Sequence, residues 1–260
     1  MKRLFEVLIA LLVGIILAVL IAPYAKAAAA ENGHCWNMGK GSSNFYFDGE
    51  ISYAAGYQFY NAGSLDDQAK AMGLDEPSEG MVVHNLSLIW ATTERVSIGI
   101  THFWGRDRTT GGMNINGNSY NRELTVGMSG GGFILECTPV KMNRFELATS
   151  IIIGGGTARV TLRQDDGTVR WGDAAGYYSG DQPATSISNE VEREYFLLRP
   201  GIKGRYFLFD WMALEGKVGW QWDTLSSSGW TYNLTELSGD GPDPNFRQPW
   251  FSVGIAIGGN

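Results

Sequence analysis

Residues 249–258 read Pro-Trp-Phe-Ser-Val-Gly-Ile-Ala-Ile-Gly, a strict alternation of large apolar and small side chains. On an extended chain, where side chains alternate at period two, Phe251, Val253, Ile255 and Ile257 share one face and Ser252, Gly254, Ala256 and Gly258 the other. A sheet surface facing water carries Lys, Glu and Thr, whereas Gly is a weak strand residue kept where close packing demands it. Small residues suit a crowded interior, so the large apolar face points outward, and only lipid makes that sensible. The division recurs at 212–222, where Met212, Leu214, Val218, Trp220 and Trp222 oppose Ala213, Glu215, Lys217, Gly219 and Gln221. It recurs again where Val96, Ile98 and Ile100 oppose Ser97, Gly99 and Thr101.

Working outward from these segments, period two defines eight runs, at roughly 45–60, 82–91, 95–104, 120–136, 144–162, 192–206, 211–223 and 249–258. Helical spacing is confined to a short turn at 65–72. The links alternate in length: long at about 61–81, 105–119, 163–191 and 224–248, short at 92–94, 137–143 and 207–210. In an up-and-down meander this puts every long loop at one end and every short turn at the other, as in bacterial outer-membrane barrels with an even strand number. The third long link reads as a protruding hairpin, because Ala158, Val160 and Leu162 alternate with Arg159, Thr161 and Arg163 ahead of the turn pair Asp166-Gly167. Aromatic residues gather at both ends of the runs. Phe59, Phe103, Trp104, Trp220, Trp222, Trp250 and Phe251 form a girdle at the long-loop end, and Phe45, Trp90, Phe145, Tyr206, Phe207, Phe209 and Trp211 one at the short-turn end.

Composition agrees. The chain has 260 residues, 18% charged, with 35 Gly, 9 Trp, 11 Tyr and 12 Phe, which disfavours disorder, coiled coil and a helical enzyme. A net charge of -7 argues against a nucleic-acid surface. At the N-terminus, Lys2 and Arg3 precede the apolar run 7–22, and Ala25-Lys26-Ala27 offers a small-x-small cleavage site. Residues 1–27 are therefore expected to be a cleaved secretory signal peptide, with an uncleaved anchor as the alternative. Residues 28–44 then form a periplasmic N-terminal segment and 45–260 the barrel.

These features resemble the eight-stranded outer-membrane β-barrel proteins, the family that includes the transmembrane domain of outer membrane protein A and its small relatives. The resemblance rests on topology and alternation over about 45–258. It departs at the C-terminus, which ends Ile257-Gly258-Gly259-Asn260 rather than in the aromatic residue common in the family. It implies an all-β, eight-stranded antiparallel up-and-down transmembrane β-barrel in a Gram-negative cell envelope, localised to the outer membrane.

Eight charges are projected into the lumen: Glu50, Glu123, Glu146, Glu215, Arg199, Lys203, Arg205 and Lys217. Unpaired charges there would be costly, so an interior ion-pair network is expected. It is either a plug that fixes the barrel or a gated narrow ion path. Cys35, in the N-terminal segment, and Cys137, in the second short turn, both fall on the periplasmic side, where an oxidising compartment favours a disulfide. Catalysis finds little support. His34, His84 and His102 lack metal spacing, and although His102 lies on the face of Ile98 and Ile100, neither Thr101 nor Ser129 can be paired with it from sequence. The triplets Asn85-Leu86-Ser87 and Asn233-Leu234-Thr235 are read as chance matches to the glycosylation pattern.

The function expected is a structural or surface-binding role through long acidic loops, with no cofactor and no metal centre, in a monomer. Its partners are outer-membrane lipid and lipopolysaccharide, with divalent cations bridging Asp66, Asp67, Asp165 or Asp166, and a surface ligand at the loops. The alternatives are a narrow porin-like channel, a lipid-modifying barrel enzyme using His102, and a soluble exported lipocalin-like barrel with its two faces exchanged.

Overall fold

The computed structural model describes residues 48–258 except 94, 116, 166–186 and 233–234. The expected signal peptide, the 28–44 segment, Cys35, His34, Phe45 and the Asp166-Gly167 turn lie outside the described residues.

Eight strands close a ring: β1 (Asp48–Phe59), β2 (Gly80–Ala91), β3 (Val96–Ile115), β4 (Asn118–Met142), β5 (Phe145–Asp165), β6 (Ile187–Phe209), β7 (Met212–Trp220) and, last in the chain, β11 (Pro249–Gly258). Each pairs antiparallel with the next, and β11 returns to β1 with Tyr53 opposite Ile255, which completes the circle. The fold is an eight-stranded up-and-down barrel. Among the described residues one helix, α1 (Leu65–Ala71), and three two-residue strands, β8 (Trp222–Asp223), β9 (Thr231–Tyr232) and β10 (Thr235–Glu236), lie in the long links.

The link expected at 105–119 is strand instead. β3 and β4 stay paired from Val96 opposite Cys137 up to Ile115 opposite Asn118, and Gly117, at φ +85°, supplies the left-handed backbone of the tight turn. The stretch is rich in Gly, Asn and Thr, residues that ordinarily mark loops, and its ladder outweighs that local preference. Cys137 likewise belongs to β4 rather than to a turn, beside an irregularity in register between Cys137 and Val140.

Four strands therefore project well beyond the rest, by about 35 Å of strand length from Trp104 to Ile115 at ordinary rise. Their open edges are covered. On β6, β8 pairs at Leu197 and Leu198, and β9 pairs at Val191 and Glu192. On the β3 side the link after α1 runs alongside, with Ser78 N–H donating to Asp107 at 2.9 Å and Arg122 Nη1 donating to the Met72 carbonyl at 2.8 Å.

The two faces exchange character along the barrel. In the lower part, Phe133, Leu135, Ile153, Phe196, Ile202, Val253 and Ile255 are exposed on the outside, Phe133 by 77% and Val253 by 67%. In the projecting part the apolar residues turn inward: Leu124, Val126 and Met128 of β4, Ala158 and Val160 of β5, and Tyr195 and Leu197 of β6 are buried. They pack beneath Leu65 and Ala69 of α1 and beneath Leu225, Trp230 and Phe246 of the last long link, forming one apolar core. The exchange occurs at paired glycines, Gly130, Gly131 and Gly132 opposite Gly156, Gly155 and Gly154. A Cβ on Gly132 would overlap the Ile153 carbonyl oxygen, and one on Gly154 the Gly131 carbonyl oxygen, so the close approach of β4 and β5 excludes side chains there.

Below the exchange the inside-outside arrangement is that of a membrane barrel, with an apolar exterior and a polar, packed interior. A soluble lipocalin-like barrel requires the reverse, and the exposure of Phe133 and Val253 overturns that alternative.

Candidate functional site

The interior is built in three layers. The lowest is ionic. Alternation on β6 turns Arg199, Lys203 and Arg205 inward, and the facing strands contribute Glu50 of β1, Glu136 of β4, Glu146 of β5, and Glu215 and Lys217 of β7. Lys203, whose side chain is completely inaccessible, pairs with Glu136 and reaches Glu50 at 3.8 Å. Arg205 pairs with Glu50 and extends to Glu136 and Glu146, each at 3.6 Å. Lys217 sits 2.8 Å from Glu215 and donates to the Ser52 hydroxyl at 3.4 Å, while Lys141 at the rim closes on Glu146 at 3.3 Å. Lys141, Lys203, Arg205 and Lys217 thus balance Glu50, Glu136, Glu146 and Glu215, as buried charges must be balanced where water is excluded.

Two sequence assignments change. Glu136 belongs to this network, although sequence reading placed the lumenal acid of β4 at Glu123. Glu123 instead stands on the outer face of the projecting sheet, paired with Arg108 at 2.6 Å and accepting from the Thr125 hydroxyl at 2.8 Å. The physical reason is the exchange of faces: above the glycines the apolar residues Leu124, Val126 and Met128 point inward, so their polar neighbours point out.

Arg199 forms the middle layer. Its guanidinium carbon stands over two rings, 4.2 Å from the centroid of Phe103 and 4.5 Å from that of Trp250, and Nη2 donates to Gln58 Oε1 at 3.3 Å. Phe103 and Trp250 were expected in the outer girdle and are lumenal instead, because both fall on the inward register of their strands.

The top layer is the apolar core beneath α1. At its margin the Tyr60 hydroxyl donates to Asp107 at 2.8 Å, and burial, reinforced by the Asp107 charge, pushes its ionisation far above the usual phenol range. On α1, Lys70 meets Glu76 at 3.0 Å, and the hydrogen bond to that carboxylate raises the ammonium's pKa.

On the outside, the remaining girdle residues face outward. Trp104, Trp220 and Trp222 are exposed, with Phe59 half-buried, at the upper level; Tyr206, Phe209 and Trp211 are exposed, with Trp90 half-buried, at the lower. Two histidines join the upper belt, His102 on the outward face expected of it and His84 beside it. Tyr53 donates to, or accepts from, His84 Nδ1 at 2.7 Å, His84 stacks on Trp104 at 5.6 Å, and His102 stacks on Trp104 at 5.5 Å. Thr101 is turned into the lumen, on the opposite side of β3 from His102, and its hydroxyl lies 2.9 Å from Ser87. Among the described residues no group of His, Cys, Asp and Glu could hold a metal ion. The projecting sheet's outer face carries paired charges: Arg159 with Glu190 and Glu192, both at 3.1 Å, and Arg163 with Asp165 at 3.2 Å.

No family model and no curated protein matches the sequence. Among solved structures, Ail, the attachment invasion locus protein of Yersinia pestis, in complex with the heparin analogue sucrose octasulfate, is similar at 8% identity over 82% of this chain and 98% of its own, with a TM-score of 0.41. The likeness is one of fold alone. A major outer membrane protein from Thermus thermophilus matches at 10% identity over 81% of this chain and 98% of its own (TM-score 0.40). CarO2 of Acinetobacter baumannii matches at 12% identity over 80% of this chain and 99% of its own (TM-score 0.33).

Proposed function

We propose that the protein is an integral outer-membrane barrel with a structural or surface-binding role, exported by a signal over 1–27 and closed to solutes. The observation that carries this reading is a lumen filled at every level. Lys203 and Glu136 are buried in the ionic layer, Arg199, Gln58 and Gln221 above them, and Trp230 and Phe246 in the apolar layer. An eight-stranded barrel has an interior just wide enough for side chains to fill or for one small ligand, too narrow for an aqueous channel. The apolar exterior below the glycines holds the barrel in lipid, and the projecting sheet with its capping link presents a charged surface outside it. Acidic side chains there, the exposed Asp67 and the half-buried Asp66 of α1 among them, suit a basic partner or divalent cations shared with the anionic groups of lipopolysaccharide.

Planar-bilayer recording of the purified, folded chain tests this. No steady conductance is expected; reproducible single-channel openings abolished by Glu136→Gln would establish the narrow channel in its place. The enzymatic alternative predicts changed envelope lipids in cells carrying His102→Ala, whereas the stacking role of His102 predicts unchanged lipids. The reading also includes a Cys35–Cys137 disulfide tying the N-terminal segment beneath the barrel, and mass mapping of the unreduced protein should recover the two cysteines in one cross-linked peptide pair.

A further inference from the structure

Arg199 stands apart from the other lumenal charges. The ionic layer balances without it, four cations against four carboxylates, and among the described residues Arg199 pairs with no acid. It is 3% exposed. Its guanidinium carbon stands over the rings of Phe103 and Trp250, 4.2 and 4.5 Å from their centroids. One edge nitrogen, Nη2, is used by Gln58, whose own amide is anchored by donating to the carbonyls of Phe59 and Phe246. The Nε of Arg199 has no partner.

Beside it lies a cavity of about 20 Å³, lined by Arg199, Trp250, Ser252, Gln58, Asn85 and Gly56 among others. That is room for one occupant the size of a water or a small ion. No carboxylate lines it. Its unpartnered buried polar atoms are Arg199 Nε, Trp250 Nε1 and Ser252 Oγ, and all three can donate. The indole nitrogen can only donate, and so can the guanidinium. A water there would leave the cation uncompensated in a dry interior, and the two rings attract the cation without neutralising it.

We propose that this cavity is a binding site for one small monovalent anion of the halide class, held by Arg199, Trp250 and Ser252 as the counter-ion the barrel lacks. The site lies inside the barrel, between the ionic layer and the apolar layer, and is independent of what the projecting surface binds. Its occupant is part of the fold rather than cargo in transit, since both layers close over it.

The test uses the full mature chain folded in detergent, with chloride replacing gluconate at constant ionic strength. Unfolding by heat is followed as the shift between unheated and heated gel mobility. Because an anion bound only by the folded state raises its weight by one plus the ratio of anion to dissociation constant, about a tenfold shift in the unfolding equilibrium is expected at nine times that constant. The effect should saturate. Arg199→Met should lose it entirely, and Ser252→Ala, which keeps the cation and removes one donor, should need several-fold more chloride for the same shift. Bromide in place of chloride should give an anomalous diffraction peak in the cavity. Identical unfolding of the wild-type chain in chloride and gluconate would overturn the proposal, as would a chloride response retained in full by Arg199→Met. If Arg199→Met fails to fold, the wild-type titration and Ser252→Ala decide between the same two outcomes.

Discussion

Lys203 and Glu136 show at the scale of one residue how the lumen is held. Both are buried and in direct contact, and truncating one partner strands the other as an uncompensated charge, a loss of about 3–5 kcal/mol. Lys203→Met should therefore lower the heat-modification midpoint sharply, while Lys203→Met combined with Glu136→Leu should recover most of the loss; a double variant as unstable as the single one would mean that the pair's neighbours, Glu50 and Arg205, carry the effect. Tyr60 makes a different point. Its folded pKa is raised, so its contribution is fully present below the unfolded value near 10 and is lost as the pH climbs beyond it. Tyr60→Phe should weaken docking of the capping link by about 1.5 kcal/mol, since Asp107 keeps only the Ser78 N–H among these donors. It should also remove the share of the alkaline sensitivity that Tyr60 contributes, leaving that of the buried Tyr195. In the difference absorbance at 295 nm between wild type and Tyr60→Phe, ionisation of Tyr60 should be missing at a pH where ordinary tyrosines titrate. The charges on β6 and β7 were legible in the sequence because alternation there is unbroken, whereas the assignment of Trp250 to the girdle failed because aromatic character alone does not say which face a strand-end residue occupies.

At the scale of the element, β5 displays the exchange of faces in one strand. Ile153, exposed below the glycines, and Thr161, above them, stand on the same outward face, yet one meets the apolar belt and the other the charged surface beside Glu190. Ile153→Arg should lose about 2–4 kcal/mol of insertion free energy, the range for a cation deep in the apolar belt of a barrel, and Thr161→Arg almost none. The yield of heat-modifiable protein after folding into lipid vesicles measures both. Equal tolerance of the two would place the lipid boundary elsewhere. Every strand of the barrel was legible from period two, since a run such as Phe251 to Ile257 admits one outward face. The strand extensions were not. Gly111, Gly112 and Asn114 read locally as loop, and only the continuous ladder from Val96 to Ile115 with β4, stabilised from inside by Leu124 and Val126 against α1, overrides them. Glu123 was misplaced for the same reason, because an alternation rule calibrated on the lipid-facing half was carried past the point where inside and outside trade character.

For the whole molecule, that exchange makes the two ends unequal and so fixes an orientation. At one end β3–β6 project with a capped apolar core, and Lys70 on α1 is exposed. At the other, the strands are joined by turns as short as residues 143–144 and 210–211, with Arg144 exposed beside the Phe145 strand start. Outer-membrane barrels keep their short turns on the periplasmic side and their long links outside, so the prediction is that the projecting end faces outward. Trypsin added to intact cells should cut after Lys70 and leave Arg144 untouched, and permeabilised cells should yield cleavage at Arg144 as well. Cutting after Lys70 should not release the barrel's unheated gel mobility, because the β1–β2 ladder, from Asp48 opposite Ala91 to Phe59 opposite Gly80, keeps both flanks of the severed link in register. Cleavage at Arg144 in intact cells, with Lys70 protected, would reverse the orientation and place the acidic surface, and whatever it binds, in the periplasm.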